Sequence, residues 1–139
     1  MANVVTTDYF REQVISGNVN LSGDSFAVAF MNNHVHSATE ASLKAVHMWS
    51  EVSAYEASAV GYSATPLTAT TISANSSNVV FWDGTDITWS SITLSPYGLV
   101  IYRISDGLIV GFIEFTSQQV AVNGSITVSW NVAGIMNVF

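Results

Sequence analysis

From Gly61 onward the residue composition of the sequence changes, and this change constrains the fold more than any other feature. Threonine, valine, isoleucine and aromatic residues recur in short runs that Asn, Asp and Gly separate. β-branched and aromatic residues favour strands, and the separating residues favour turns, so the pattern predicts successive antiparallel strands. With an earlier run at 25–32, the predicted strands are 67–73, 78–82, 86–94, 98–104, 108–116, 125–132 and 135–138.

Three dipeptides predict tight turns between these strands: Asp83-Gly84, Asp106-Gly107 and Asn123-Gly124. Two-residue hairpin loops prefer such pairs, because their central positions require a positive φ. Asp106-Gly107 separates YRIS from LIVGFIEF, so we expect a hairpin there.

The run FAVAFM at 26–31 alternates large and small apolar side chains. Phe26, Val28 and Phe30 point to one side and the intervening residues to the other, which is typical of a strand with both faces covered. Alternation along the later strands predicts one core face, with Glu114 on the opposite side of its strand. The predicted core residues are Phe26, Val28, Phe30, Val100, Tyr102, Ile109, Ile113, Phe115, Ile126 and Val128.

The chain begins with a predicted helix over roughly residues 8–16. A side chain among residues 6–8 can cap it, Phe10 and Val14 share one face, and Gly17 supplies a stop. The polar stretch at 32–55 reads mostly as loop, with a short helical turn near Trp49. We therefore expect a mainly β fold, an antiparallel β-sandwich or barrel-like domain with a short N-terminal α-helix, built as one domain over residues 1–139.

Charged residues make up only 9% of the chain, against about 25% in typical soluble domains. Nineteen serines and twelve threonines take over much of the solvent-facing role. A surface of this kind favours burial against copies of the same chain or against a larger assembly.

The same composition excludes several classes of function. Lys44, Arg11 and Arg103 are the only cations of a chain with net charge −7, so no basic patch exists and we expect no nucleic-acid partner. The absence of cysteine excludes a disulfide framework and thiolate metal sites. No apolar run approaches the roughly 18 residues of a membrane span, and no secretory signal begins the chain. We expect the protein to stay, at least at first, in the cytosol in which it is made, and we expect no membrane partner.

Candidate metal ligands are few. His34 and His36 stand at i, i+2, a spacing that lets two imidazoles share one strand face, with Glu40 as a nearby carboxylate, while the position of His47 fixes no third ligand. Asp83 and Asp86 offer two carboxylates, fewer than a calcium loop supplies, and a tight turn explains them better. We predict no metal site and no cofactor.

Candidate catalytic residues are equally few. Ser63, in the stretch Gly61-Tyr62-Ser63-Ala64-Thr65, lacks the second glycine of a nucleophile elbow. Glu51 and Glu56 could be the two carboxylates of a glycoside hydrolase, but among ten acidic residues such a pair is expected by chance. Phosphate-binding glycine motifs are absent. We predict no catalytic residue and no enzymatic activity. A carbohydrate-binding platform is the alternative for the four tryptophans, Trp49, Trp82, Trp89 and Trp130, since aromatic faces pack against sugar rings.

Five segments occur in this order along the chain: FREQVISGNVNLSGDSFAVAFM (10–31), GYSATPLTATTIS (61–73), DITWSSITLSPYGLVIYR (86–103), GLIVGFIEF (107–115) and NGSITVSWNVAGIMNV (123–138). Their order resembles that of a family of small structural proteins of tailed bacteriophages, and the resemblance covers most of the chain. Two regions depart from the family pattern: Ser95-Pro96-Tyr97-Gly98, which leads into the predicted strand that contains Val100-Ile101-Tyr102, and residues 32–46.

The resemblance implies a virion protein, a capsid decoration (cement) protein that sits as a homotrimer on the outside of the expanded head. Its partners would be copies of itself and the phage major capsid protein, and its role would be mechanical. The alternative from the binding class is a carbohydrate- or receptor-binding tip domain of a phage tail or fibre.

Overall fold

The computed structural model describes residues 4–74, 80–130 and 135–137. It is mainly β with antiparallel pairing and a short N-terminal helix, so the predicted fold class is confirmed. The strands are β1 (Val4–Thr6), β2 (Phe26–Met31), β3 (Thr65–Leu67), β4 (Thr71–Ala74), β5 (Val80–Asp83), β6 (Ile87–Leu94), β7 (Gly98–Arg103), β8 (Ile109–Glu114), β9 (Ala121–Val128) and β10 (Met136–Asn137). The helices are α1 (Asp8–Ile15), α2 (His34–Ser37) and α3 (Glu40–Lys44), followed by 3₁₀ turns at Trp49–Glu51 and Ser53–Tyr55.

The described strands form three sheets. The largest has five strands in the order β1-β8-β7-β2-β3, and the others have the orders β10-β5-β4 and β6-β9. Predicted strand positions 78, 79, 131, 132 and 138 lie outside the described residues.

The large sheet has one apolar cluster on each face, so the prediction that β2 is covered on both sides is confirmed. On one face, the ring of Phe26 packs edge to face against Trp82 of β5, with the ring centroids 5.2 Å apart. The ring centroids of Phe30 and Trp89 of β6 are 4.5 Å apart. Both smaller sheets therefore pack on this face of β2. All six side chains of β2 are buried.

The opposite face is covered by the segment 32–55, for which the sequence predicts mostly loop. Ala29 and Met31 of β2 pack there with Val35 of α2 and Leu43 of α3. The interpretation as loop was wrong because these two short helices bury only one side chain each, so their sequences show no apolar periodicity. The helical turn near Trp49 is confirmed.

The predicted single core face is wrong for β7. Phe30 pairs with Leu99 and Val28 with Ile101, so Leu99 and Ile101 share the face of the β2 phenylalanines. Val100 consequently belongs to the second cluster, and the half-buried Tyr102 packs against it.

On β8 the alternation is broken by a shift of register. Ile101 pairs with Gly111 but Tyr102 pairs with Ile109, which leaves Val110 as an extra residue. Such a bulge reverses the faces of the side chains beyond it. Ile109 is therefore buried in the second cluster rather than the first.

The remaining predicted core residues lie in or against the larger cluster. Phe26, Val28, Phe30, Ile113, Ile126 and Val128 are buried there, whereas Phe115 is only partly buried against it. Glu114 is half-buried.

The N-terminal helix is confirmed and begins where the sequence indicated. The Thr7 hydroxyl accepts a hydrogen bond from the Phe10 N–H and donates one to the Ile109 carbonyl, at 3.2 and 2.8 Å. Thr7 is fully buried, so its second hydrogen bond fastens the helix start to β8. The preceding strand, β1, was not predicted.

The predicted turns have different outcomes. Asp106-Gly107 closes the β7–β8 hairpin, as expected. Asp83-Gly84 instead connects β5 and β6, which belong to different sheets. Asn123-Gly124 lies inside β9, where Asn123 has a φ of 46° beside an irregular register with β6, so a bulge stands where a turn was predicted. The predicted strand at 67–73 is two strands, β3 and β4.

Candidate interaction surface

The two histidines considered as candidate metal ligands do not share a face. His34 and His36 belong to α2, where residues two apart point in different directions. The His34 ring stacks on Tyr55 with centroids 3.8 Å apart, while His36 Nδ1 lies 2.5 Å from Glu114 Oε1. The shared strand face that the spacing allowed is therefore not formed.

The other candidate ligands also have separate partners. Glu40 forms an ion pair with Lys44 at 2.8 Å, and this neighbour lowers the pKa of Glu40. His47 stacks on Tyr9 with centroids 4.6 Å apart. Among the described residues, no three His, Asp or Glu side chains converge as a metal site would require.

The Asp83 and Asp86 carboxylates bind backbone groups. Asp83 Oδ1 accepts a hydrogen bond from the Gly84 N–H at 2.8 Å, and Asp86 Oδ1 accepts one from the Trp130 N–H at 2.9 Å. Both carboxylates thus hold local structure near the start of β6.

Glu51 and Glu56 have equally local roles. Glu51 Oε2 accepts hydrogen bonds from the N–H groups of His47 and Met48, at 3.0 and 2.7 Å. Glu56 Oε2 accepts one from the Tyr62 hydroxyl at 2.9 Å, and burial raises the pKa of Tyr62. Each carboxylate therefore has a structural partner.

Three of the four tryptophans are buried and do not form the platform that sugar binding would need. The indole N–H groups donate to backbone carbonyls: Trp82 to Leu21, Trp89 to Ser63 and Trp130 to Thr85, at 2.9, 2.9 and 3.0 Å. Trp49 is half-buried and stacks on Tyr102 with centroids 4.7 Å apart. One face of this remaining indole is thus already covered.

The feature that sets this molecule apart is the distribution of its charges. Residues 57–82, 87–102 and 115–139 contain no Asp, Glu, Lys, Arg or His. The described parts of these spans include all of β3, β4, β6 and β9. The low content of charged residues alone does not reveal this pattern, but the grouping of the charged residues outside these spans can be read from the sequence.

The sheet formed by β6 and β9 presents an uncharged outer face. On β6 the buried side chains are Ile87, Trp89, Ile92 and Leu94, whereas the exposed residues of this strand all bear hydroxyl groups. Thr88 and Thr127 stand opposite each other with their hydroxyl oxygens 2.8 Å apart. Two valines at the start of β9 are largely exposed: Val120, just before the strand, at 66% and Val122 at 71%.

Strand β4 continues the same chemistry at the edge of another sheet. All four of its side chains are exposed, and Ile72 is 48% exposed. We call the exposed residues of β4, β6 and β9, with residues 117–120, the neutral surface.

A groove of about 260 Å³ runs beside β9 within the neutral surface. Its walls are Phe115, Thr116, Gln119 and the segment 126–129, all uncharged. Among the described strands β9 pairs only with β6, and no residue of β6 lines the groove.

Neither a scan of protein-family models nor searches of curated proteins and of solved structures found a match to this chain. No helix within the described ranges is both long and apolar enough to cross a bilayer.

Proposed function

We propose that this chain is a capsid decoration protein of a tailed bacteriophage, which binds the outside of the expanded head as a trimer and stabilises it mechanically. The observation that carries the proposal is the neutral surface. A structural subunit acts by burying part of its surface against other subunits, and the neutral surface has the uncharged composition that favours such burial.

The chemistry of the neutral surface explains why burial is favourable there. Removing an unpaired charge from water costs far more than removing a hydroxyl that finds a new partner. The cores of protein interfaces are accordingly depleted in charged residues. Val120 and Val122 add apolar area that gains free energy when water leaves it.

The polar groups outside the neutral surface fit a mechanical role. The histidines stack on tyrosines, and the carboxylates of Glu51, Glu56, Asp83 and Asp86 accept local hydrogen bonds. These contacts stabilise the fold, and the proposal assigns no reaction to them.

The partners follow from the resemblance to small tailed-phage structural proteins. Copies of the chain would form the trimer, and the trimer would bridge neighbouring copies of the major capsid protein on the virion surface. Such bridging adds buried interface that resists the outward pressure of packaged DNA. The chain would be made in the host cytoplasm before it joins the head.

Native mass and head binding test the proposal together. Light scattering on the purified protein should give about three times 14.9 kDa, as a closed trimer requires. The protein should also co-sediment with expanded empty heads assembled from the major capsid protein encoded in the same genome. A protein that neither associates with itself nor sediments with these heads would contradict the proposal.

The carbohydrate-binding alternative would predict a different response. Only the Trp49–Tyr102 pair offers a partly exposed indole within the described residues. A saturable shift of tryptophan fluorescence on addition of sugars, abolished by Trp49→Phe, would favour a tail or fibre tip domain instead.

A further inference from the structure

The groove beside β9 follows the backbone edge of that strand. Four consecutive residues, 126–129, line it. Because successive side chains of a strand point to opposite faces, a groove that touches all four runs along the edge and not over one face. An unpaired strand edge presents N–H and C=O groups to any strand that comes alongside.

Strand β4 has the properties of a strand that would fit there. It lies at the edge of its sheet among the described strands, and its four residues match the four that line the groove. All of its side chains are exposed, so it can approach a neighbour without rearrangement. Ile72 supplies an apolar side chain for the part of the groove formed by Phe115 and Ile126.

Charge indicates that the occupant is a second copy of this chain. Copies with a net charge of −7 repel one another, so they meet most easily through surfaces that carry no charge. Neither span involved, 57–82 or 115–139, contains a charged residue. A charged partner would find no complementary group on either side.

We propose that β9 of one copy accepts β4 of the next copy by strand addition. The two strands are different segments in different sheets of the chain, so the contact is head to tail, and such a contact closes into a ring when the rotation allows it. The number of three subunits in the ring rests on the proposed function. The inference adds that β4 and β9 form the interface between neighbouring subunits.

Cross-linking tests the interface, and the absence of native cysteine makes the test clean. Ser73→Cys lies on β4 and Thr127→Cys on β9, both at exposed positions. The two single variants are mixed in free solution and treated with a short bis-maleimide, which tolerates a shift of register by one or two residues. Ser50→Cys, exposed but outside both strands, replaces either variant as the matched control.

The mixture of Ser73→Cys and Thr127→Cys should give a covalent dimer, while each variant alone and each mixture with Ser50→Cys should stay monomeric on a denaturing gel. The double variant Ser73→Cys/Thr127→Cys should give a covalent trimer. Failure of the mixture to cross-link overturns the interface, and so does cross-linking of Thr127→Cys to itself, which would place two copies of β9 together.

These outcomes separate the interface from the proposed function. A native trimer that sediments with heads but gives no product between positions 73 and 127 rejects only the β4–β9 contact. A cross-linked trimer that ignores the heads keeps the contact and rejects the capsid role.

Discussion

Tyr62 supplies a hydrogen-bond partner to Phe30 at the edge of the large sheet. Its hydroxyl oxygen accepts from the Phe30 N–H at 2.7 Å and donates to Glu56 Oε2 at 2.9 Å. Strand β3 pairs with β2 only over Phe26 to Val28, so a side chain takes the place of a strand neighbour here. The arrangement satisfies a buried amide where the sheet ends.

Replacing Tyr62 with phenylalanine should therefore lower the free energy of unfolding by about 1–3 kcal/mol, because the Phe30 N–H is left buried without a partner. Urea titration measures the loss. Tyr55→Phe is the control, since Tyr55 is 39% exposed and lies on a surface turn. Equal stabilities of the two variants would refute the role given to the Tyr62 hydroxyl.

Phe30 itself is fully buried and contacts Tyr62, Trp89 and Phe115. Phe30→Ala should cost roughly 3–5 kcal/mol, the range for truncating a buried phenylalanine. Val60→Ala provides the control, because Val60 is 95% exposed. A denaturant titration that finds a loss under about 1 kcal/mol for Phe30→Ala would mean that this strand is misplaced.

The sequence predicted β2 well because its pattern depends only on the strand itself: both sides of FAVAFM are apolar, so both faces are covered whatever the neighbours are. The face of Val100 could not be predicted in the same way. It depends on the pairing of β7 with β2, where Phe30 stands opposite Leu99. The extra residue Val110 then reverses the pattern on β8, and no local signal marks it.

The candidate interaction surface, like the fold, could be predicted from the sequence only in part. The charge-free spans can be read from the sequence, so the neutral character of β4 and β9 was predictable in principle. The groove was not, because it forms only when Phe115 and Gln119 come together with residues 126–129. The prediction of a turn at Asn123-Gly124 was wrong for a related reason. A residue with a positive φ occurs in bulges as well as in turns, and only the pairing with β6 distinguishes the two.

Gly98 is required for the close packing of three elements. A Cβ at this position would overlap the Ile113 carbonyl oxygen and lie 2.8 Å from Val35 Cγ1. Gly98→Ala should therefore lower the free energy of unfolding by about 1–3 kcal/mol through overpacking. In Gly124→Ala the nearest atom is 3.6 Å from the new Cβ, so thermal unfolding should change little. Equal melting temperatures for the two variants would contradict the packing described at Gly98.

Arg103 joins the hairpin turn to the loop before β2. Its guanidinium donates to both carboxylate oxygens of Asp106, to Asp24 Oδ2 and to the Asn18 carbonyl, at 2.8–3.0 Å. These hydrogen bonds, together with the positive charge, hold the pKa of Asp106 below its ordinary value. The charged form of Asp106 is thus favoured in the folded state.

Stability should depend on pH accordingly. A lowered folded pKa gives stabilisation that is present above the unfolded value of about 3.9 and is lost as the pH falls through the folded value. Asp106→Asn should cost about 1 kcal/mol or less at neutral pH, and the difference from the parent protein should shrink below about pH 4. Urea titrations at several pH values measure it. In an Arg103→Gln background the effect of Asp106→Asn should diminish, and an unchanged effect would reject the coupling.

Val122 tests whether the neutral surface is the surface that is buried in the assembly. It is 71% exposed on β9, and a lysine there would introduce a charge that has to be desolvated when copies associate. Val122→Lys should therefore shift the native mass from about three subunits toward one while the thermal unfolding temperature stays near that of the parent. Ile15→Lys is the matched control, because Ile15 is 77% exposed at the end of α1, a helix that already carries Asp8, Arg11 and Glu12. Light scattering that finds the two variants equally associated would mean that the copies meet through another face.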